Sequence, residues 1–395
     1  MVVRLLLFAI VFQGAANALT SCEYANEHSG CRDSAKSCLL THACTMKNIC
    51  LRNGNASKCS NKKSANGSGY VRRYLIASAS GDPRVKKTLT VSHSYEGCPS
   101  NMTEHGILAY IFCEANLWHF ITETLWPIWR TISQTPQSVY TVVLQGSTWS
   151  NHTDACHGPR YASLFRLVPK IRSPILWMSP DVAYDFHSGR RVVHGDFECF
   201  RDFALYTPAS RRSAPPATRL EFSKAIAAHA GHKPNSWFTR LVWSFRRVLI
   251  LDRRSSRGIT NVELLRRELA RHLGHAYRVD VTQFEEMPVR EQMTHAINAH
   301  FMIGVHGAGM TWSLFLNGGR PDQAALIELF PKGWKRCHFT IYWKRANWLA
   351  ECQEHSSTST SLANPKNGHV TASVRKVVNG FDSLLQGLRV RSQIG

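Results

Sequence analysis

The chain has 395 residues and a formal net charge of +21. That length supports two core-bearing domains. So basic a balance narrows the partners to nucleic acid, an anionic membrane or glycan, or a phosphorylated substrate, and no aromatic-interleaved basic motif of the RNA-binding type occurs.

Residues 1–18 read as a secretory signal, with Arg4 as its positive end, Leu5–Phe12 as its apolar centre and Ala16-Asn17-Ala18 as the cleavage site. The apolar run is shorter than the ~20 residues a bilayer span needs. Gln13, Gly14 and Asn17 argue against an uncleaved anchor, and no later segment is long and apolar enough to span a membrane. Entry into the secretory route makes nucleic acid an awkward partner. All 12 cysteines lie beyond Ala18, half of them between Cys22 and Cys59. In an oxidising lumen they are expected to form disulfides whose connectivity spacing cannot fix. The expectation for 19–69 is a disulfide-rich N-terminal segment, a small stapled cap, with a polar linker from Ser60 to about Ser80. No Cys-x-x-Cys pair occurs, which argues against a zinc site. Asn55, Asn66, Asn101 and Asn151 each begin an Asn-x-Ser/Thr sequon for glycosylation.

A first α/β domain is expected over 70–206, with strands at Gly106–Phe112, Val139–Leu144 and Ile175–Met178. Between the first two lies a helical stretch, Asn116–Trp129. At 3.6 residues per turn Asn116, His119 and Glu123 share one face, while Leu117, Phe120, Thr124 and Ile128 line another, the buried one. A carboxylate beside an imidazole can take a proton from an alcohol. A surface Glu–His pair or a capped core histidine is the competing reading. The breaker stretch Thr207–Ala217 opens a linker over 207–236.

The second domain is expected over 237–352. Val248–Leu251 is a continuous apolar run, as in a strand buried on both faces of a parallel sheet. Thr260 and Glu263 form a capping box ahead of Val262, Leu265, Leu269 and Leu273 at helical spacing, with Gly274 as the stop. Tyr277–Val281 is the next strand, and Pro288 stands in the first turn of a helix through about Asn298. Phe301–Val305 and Ala325–Phe330 are the third and fourth strands. The alternation predicts right-handed βαβ units and a parallel, Rossmann-like sheet. The third strand empties into His306-Gly307-Ala308-Gly309, ahead of the helix-compatible Met310–Leu316. Glycine lets a ligand approach the backbone, and unpaired N–H groups at a helix start face anions. A tight turn without a ligand uses glycine too. Ligands on such sheets sit at the carboxyl ends of strands, where Asp252, Arg253, Arg254, His306 and Glu328 fall. Arginine there suits phosphate oxygens, although simple strand-end solubility also explains it. The tail, 353–395, holds a serine- and threonine-rich stretch expected to be a mobile loop, Ser356–Ser361, then a helix from about Ala372 to Leu388.

Asn116-Leu-Trp-His119-Phe-Ile-Thr-Glu123, Val248-Leu-Ile-Leu-Asp-Arg-Arg254, His306-Gly-Ala-Gly-Met-Thr311 and Leu326-Ile-Glu-Leu-Phe-Pro331 together resemble glycosyltransferase family 61. That family includes O-linked N-acetylglucosaminyltransferases of the endoplasmic reticulum and plant xylosyl- and arabinosyltransferases. The resemblance implies a GT-B fold, two Rossmann-like α/β domains facing a cleft. It also implies a nucleotide-sugar donor held mainly by the second domain, and transfer with inversion to an acceptor hydroxyl. By the same resemblance Glu328 binds the nucleoside ribose and Arg253 or Arg254 the diphosphate. Trp312 departs from the asparagine common after the Met-Thr pair, and the Asn317–Gln323 loop is longer than usual.

The chemistry expected is metal-independent and needs no cofactor, because no Asp-x-Asp motif occurs and Asp196-Phe-Glu198 is the nearest to one. A UDP-sugar carrying N-acetylglucosamine or a pentose is the co-substrate, and the acceptor is a protein or glycan hydroxyl in the endoplasmic reticulum or Golgi lumen. Its diphosphate rests on the N–H groups of Gly307, Ala308, Gly309 and Met310, where fixed dipoles stabilise the charge that grows on the leaving group. Glu123 is the first candidate base and His119 the second, with Asn116 and Thr311 in support. His306 contacts phosphate or sugar, or braces the loop. An inactive secreted scaffold or a lectin-like binder of acidic glycans is the rival reading.

Overall fold

The structure, a computed structural model, describes residues 38–39, 44–52, 55–58, 71–77, 86–93, 103–111, 116–133, 141–146, 162–165, 167–168, 171, 175–179, 182–185, 191–192, 199–205, 216–230, 246–253, 257–334, 337–357 and 368–394. The expected signal sequence, Asn66, Asn101, Asn151 and Arg254 lie outside them. The chain divides into two compact units, 1–115 with 119–213 and 116–118 with 214–395. Both are mixed α/β.

The first unit carries β1 (Cys38–Leu39), β2 (Cys44–Arg52), β3 (Asn55–Lys58), β4 (Val71–Ala77), β5 (Lys86–His93) and β6 (Thr103–Ile111). After them come β7 (Thr141–Gly146), β8 (Ile175–Ser179), β9 (Val182–Asp185), β10 (Arg191–Val192) and β11 (Cys199–Leu205). They form one mixed sheet in the order β1-β4-β5-β3-β2-β11-β6-β7-β8-β9-β10. The three strands expected from the sequence are β6, β7 and β8, and they pair in parallel. Two expectations need correction. The linker read from Ser60 to about Ser80 contains β4, because Val71-Arg-Arg-Tyr-Leu-Ile-Ala77 has enough β-branched and aromatic character to enter a sheet. Nor do Cys44–Arg52 and Asn55–Lys58 stand apart as a cap, since β2 pairs with β11 and continues the same sheet.

One helical segment, α1, begins as α-helix at Leu117–His119, loosens into π-helix at Phe120–Leu125 and returns to α-helix at Trp126–Ser133. Leu117, Phe120, Thr124 and Ile128 are buried as expected. So are Trp118, Ile121, Thr122, Leu125, Trp126 and Trp129, while Arg130 is half-buried and Ser133 is exposed.

The second unit carries α2 (Pro216–His229), β12 (Arg246–Asp252), α3 (Val262–Leu273), β13 (Tyr277–Gln283), α4 (Val289–Ile297), β14 (Phe301–Val305) and β15 (Ala325–Pro331). It ends with α5 (His338–Arg345), β16 (Leu349–Ser357), β17 (Val370–Thr371) and α6 (Val374–Ile394). Its sheet runs β13-β12-β14-β15-β16-β17, parallel throughout except for β17. Every residue of β14 and β15 is buried, as a parallel strand covered on both faces must be. Val248, Ile250, Ile303 and Ile327 meet Leu265 and Leu269 of α3, and Val377, Phe381 and Leu384 of α6, in one core. Phe381 stacks on Phe301 with ring centroids 4.3 Å apart.

Several expected boundaries therefore move. The linker at 207–236 contains α2, whose Phe222 and Ile226 are buried within this unit. A limit at 352 cuts through β16, which reaches into the stretch read as a mobile loop. The tail helix, read to about Leu388, is longer and belongs to the core of this sheet. The capping box does not form either. Thr260 bonds the hydroxyl of Thr371, Glu263 pairs with Arg266, and Asn261 stands at the N-cap with its side chain on the backbone of Ala372. Thr260 and Asn261 thus hold β17 and the residue after it instead. No helix among the described residues is long and apolar enough to cross a membrane.

Candidate donor site at the switch point of the second sheet

Counting from β12, the parallel strands lie in the order 2-1-3-4-5. The chain leaves β12 towards one side for β13 and later returns to the other for β14. At such a switch point the loops after the two central strands diverge and leave a crevice. Those loops are the basic stretch after Asp252 and the turn after Val305, so the two segments singled out in the sequence meet.

The turn after β14 is built with few spare hydrogen bonds. The His306 N–H donates to Leu329 O at 3.0 Å, and Met310 N–H donates to Gly307 O at 3.0 Å. From Ala308 to Phe315 the chain is a 3-10 helix rather than the expected α-helix. Met310 is therefore removed from the expected anion donors, because its amide closes the first turn. The amides of Gly307, Ala308 and Gly309 have no acceptor among the described residues. Gly307 itself is extended, with φ 167°. The steric demand for glycine falls elsewhere: a Cβ on Gly304 would lie 2.7 Å from Met310 Sδ.

Two guanidinium groups flank these amides. A Cβ on Gly307 would lie 2.6 Å from Arg253 Nη1 and 3.6 Å from Arg257 Nη1. Arg253 is held through Nε by Glu285 Oε1 at 3.0 Å, and Arg257 donates from Nη1 to His306 O at 3.1 Å. Burial, and then the positive charge of Arg253, lower the pKa of Arg257. Its Nε is buried without an acceptor among the described residues, and its backbone is left-handed at φ 59°. A side chain strained, partly buried and set against a like charge is the kind of arrangement an anion relieves.

The loop between the arginines is clamped at its base. Asp252 Oδ1 accepts the Ile259 N–H at 3.0 Å, and Gly258 donates to His369 Nδ1 at 3.1 Å. A Cβ on Gly258 would lie 2.1 Å from Arg253 O, so only glycine fits there. Val370 then donates its N–H to Gly258 O and accepts the Thr260 N–H, both at 2.9 Å. Asp252 thus shapes the loop and does not face a ligand.

Glu328 differs from expectation. Its side chain is fully buried, and its oxygens accept from His306 Nδ1 at 2.7 Å, Phe339 N–H at 3.3 Å, Thr340 N–H at 2.8 Å and Thr340 Oγ1 at 2.8 Å. Four donors fill the accepting capacity of a carboxylate, so the ribose contact implied by the resemblance does not fit this geometry. Such an acceptor also assigns the His306 proton to Nδ1. The first turn of α5 supplies the two amides, and the Cys337–Cys352 disulfide ties that turn to β16, where Cys352 is the strand partner of Glu328. The His306 ring stacks on Phe330 at 5.1 Å and meets the edge of Trp334 at 5.3 Å.

Other candidates resolve as follows. Thr311 is fully buried, its hydroxyl without a partner among the described residues. Trp312 is a core residue that donates to Gln292 Oε1 at 2.8 Å, so its departure from the family pattern does not reach a pocket. Asn116 accepts the Trp118 N–H at 3.0 Å and caps α1. The backbones of His119 and Glu123 fall at the end of the first α-helical turn and inside the π-helical stretch, so the shared face computed at 3.6 residues per turn does not carry over. Their side chains lie outside the described residues, as does that of Asn55.

Sequence reasoning counted Arg257 in the basic run suited to phosphate but gave the diphosphate to Arg253 or Arg254, and it missed Thr340. Arg257 was visible in the basic run, and Asp252 and Gly258 mark the loop that brings it back. For Thr340 the only signal is a lone carboxylate in an apolar strand, which must find donors somewhere.

A comparison with curated proteins yields no match. The family model for glycosyltransferase 61 matches residues 117–321, more than half of the chain, and spans α1, the basic loop and the turn after β14. The chain belongs to glycosyltransferase family 61.

Proposed function

We propose that the protein is an inverting, metal-independent glycosyltransferase. It moves N-acetylglucosamine or a pentose from a UDP-sugar to a protein or glycan hydroxyl in the lumen of the endoplasmic reticulum or Golgi. The observation that carries this reading is the set of amides at Gly307, Ala308 and Gly309 with no acceptor among the described residues, flanked by Arg253 and Arg257. Family membership supports the reaction class. The amides and guanidinium groups bind the donor diphosphate and stabilise the negative charge that grows as the glycosidic bond breaks. Arg254 adjoins the same loop and adds positive charge. In a GT-B arrangement the second unit holds the donor and the first supplies the acceptor base, Glu123, with His119 as the alternative. Inversion requires one base on the acceptor side, as in single-displacement glycoside chemistry.

The donor is identified by screening nucleotide sugars for thermal stabilisation of the full-length protein. With that donor, Glu123→Gln is expected to lower transfer about 10²–10⁴-fold while its dissociation constant stays within about threefold (on the order of 0.6 kcal/mol). Equal turnover in this variant rules Glu123 out as the base.

A further inference from the structure

Arg253 meets the amide turn with one end of a side chain whose rotamer freedom allows many other directions. Its Nη1 comes nearest to Gly307, with Cζ behind, at 2.6 and 3.8 Å from where a Cβ on that glycine would stand. Its Nε is turned to Glu285 Oε1 at 3.0 Å, and neither Nη has an acceptor among the described residues. Arg257 Nη1 lies 3.6 Å from the same point, and the charge of Arg253 is one cause of its lowered pKa. Like charges so placed favour a rotamer that carries Arg253 out into water, and the bond to Glu285 opposes it. That bond contributes little to folding, since the two side chains are 25 % and 33 % exposed. Nor does a carboxylate by itself help an anion to bind, because it repels one. What remains for it is to set the direction of the guanidinium.

Glu285 lies in the short 3-10 turn Phe284–Glu286 that follows β13, and that turn is fixed in its own right. Gln292 of α4 is buried and donates from Nε2 to Phe284 O at 2.7 Å and to Met287 O at 2.8 Å. Its Oε1 accepts the Trp312 indole N–H at 2.8 Å. An indole can only donate, so the amide orientation is assigned and both Nε2 hydrogens serve the turn. Trp312 belongs to the 3-10 helix that begins at Ala308, directly after Gly307. Phe284 also approaches Gly309, with Cδ2 3.9 Å from where a Cβ would stand. The turn that carries Glu285 is therefore tied to the same element as the amides.

We propose that Glu285 is a positioning residue of the donor seat. On a turn held by Gln292, its carboxylate fixes Arg253 by Nε and leaves Nη1 and Nη2 as a fork for the diphosphate oxygens. This rests on the donor reading given above. Glu285 makes no contact with the ligand and acts only through Arg253.

The test measures uridine diphosphate binding to the full-length protein by calorimetry. Glu285→Ala should weaken binding about tenfold, although a repelling negative charge is removed. Glu285→Gln keeps an oxygen that accepts from Nε and loses the charge, so its affinity should stay within about threefold of the parent's or exceed it. In Arg253→Ala protein, Glu285→Ala should change affinity by less than about twofold, because the group it positions is gone. Urea midpoints of both Glu285 variants should match the parent's; a lowered midpoint in Glu285→Ala would make the ion pair a structural one and overturn the role. A carboxylate acting only through its charge predicts tighter binding in both variants. That result, or unchanged affinity in Glu285→Ala, overturns the positioning role and leaves the donor seat standing. A tenfold loss that persists without Arg253 overturns it as well. Should uridine diphosphate not bind the parent protein at all, the donor seat fails and the proposal with it.

Discussion

Three glycines of one motif should respond differently to the same added methyl group. At Gly304 a Cβ would meet Met310 Sδ at 2.7 Å and Leu251 Cβ at 3.1 Å inside a fully buried strand. Overpacking of this kind costs about 1–3 kcal/mol, against a gain of about 0.4–1 kcal/mol from restricting the unfolded chain. Gly304→Ala should therefore lose about 1–2 kcal/mol on urea unfolding, with m unchanged. At Gly307 the backbone is extended and accepts alanine, and the 2.6 Å neighbour is the far end of Arg253. The guanidinium can swing away, so stability should stay within about 0.5 kcal/mol. The displaced group should nevertheless lose a charge-assisted contact to the diphosphate, about 1.5–3 kcal/mol. That corresponds to roughly 10- to 150-fold weaker uridine diphosphate binding. At Gly309 the nearest atoms, Leu251 Cδ1 and Phe284 Cδ2, lie at 3.8 and 3.9 Å, which is ordinary contact. Alanine there should fold as well as glycine. Unchanged nucleotide affinity in a folded Gly307→Ala protein would refute the placement of Arg253 over the seat. Equal stability of the Gly304 and Gly309 variants would refute the packing.

Phe381→Ala should destabilise the second unit by about 3–5 kcal/mol in urea, because a fully buried ring stacked on Phe301 is removed; a change below about 1 kcal/mol would show that α6 is not part of the core. His300 and His355 are lowered from 6.5 to about 4 by burial, and then by Arg246 and Lys376 respectively. The unfolded chain therefore binds more protons between these values, so stability is full above about pH 6.5 and falls as pH drops towards 4. Unfolding curves at pH 7 and 4.5 should show that loss, and His355→Gln should reduce it.

The parallel sheet was legible because its signal is local. Val248–Leu251, Phe301–Val305 and Ala325–Phe330 are apolar without alternation, and short breaker-bounded helices separate them. Since ligand sites on such sheets follow strand order, locating the strands also located the crevice. What failed was information that is not local. Thr260 and Glu263 match a capping box in spacing, yet β17, over 100 residues on, takes the Thr260 hydroxyl, and Glu263 pairs with Arg266 within its own helix. Glu328 resembled a ligand contact because a carboxylate in an apolar strand needs a reason. The reason was a histidine and the first turn of a later helix. The π-helical stretch in α1 has no pattern separable from an ordinary helix, so the shared face of His119 and Glu123 was computed with the wrong period.

The family match ends at 321, but much of what shapes the crevice lies beyond it. Glu328, Phe339 and Thr340 set the His306 ring, and the Cys337–Cys352 disulfide secures the helix turn that supplies two of their bonds. His369 and Val370 hold the base of the loop that carries Arg253 and Arg257. The need for such support follows from charge. Two guanidinium groups beside amides that lack an acceptor among the described residues repel one another when no anion is bound, and a free loop would relax by swinging one of them into water. Fixing both ends of the short 252–260 loop denies it that motion, so the positive field is set before any anion arrives. A preorganised site of this kind spares the ligand the free energy of assembling it. On this view the sequence up to 321 supplies groups suited to an anion, and the following strands and helices hold them still enough to act.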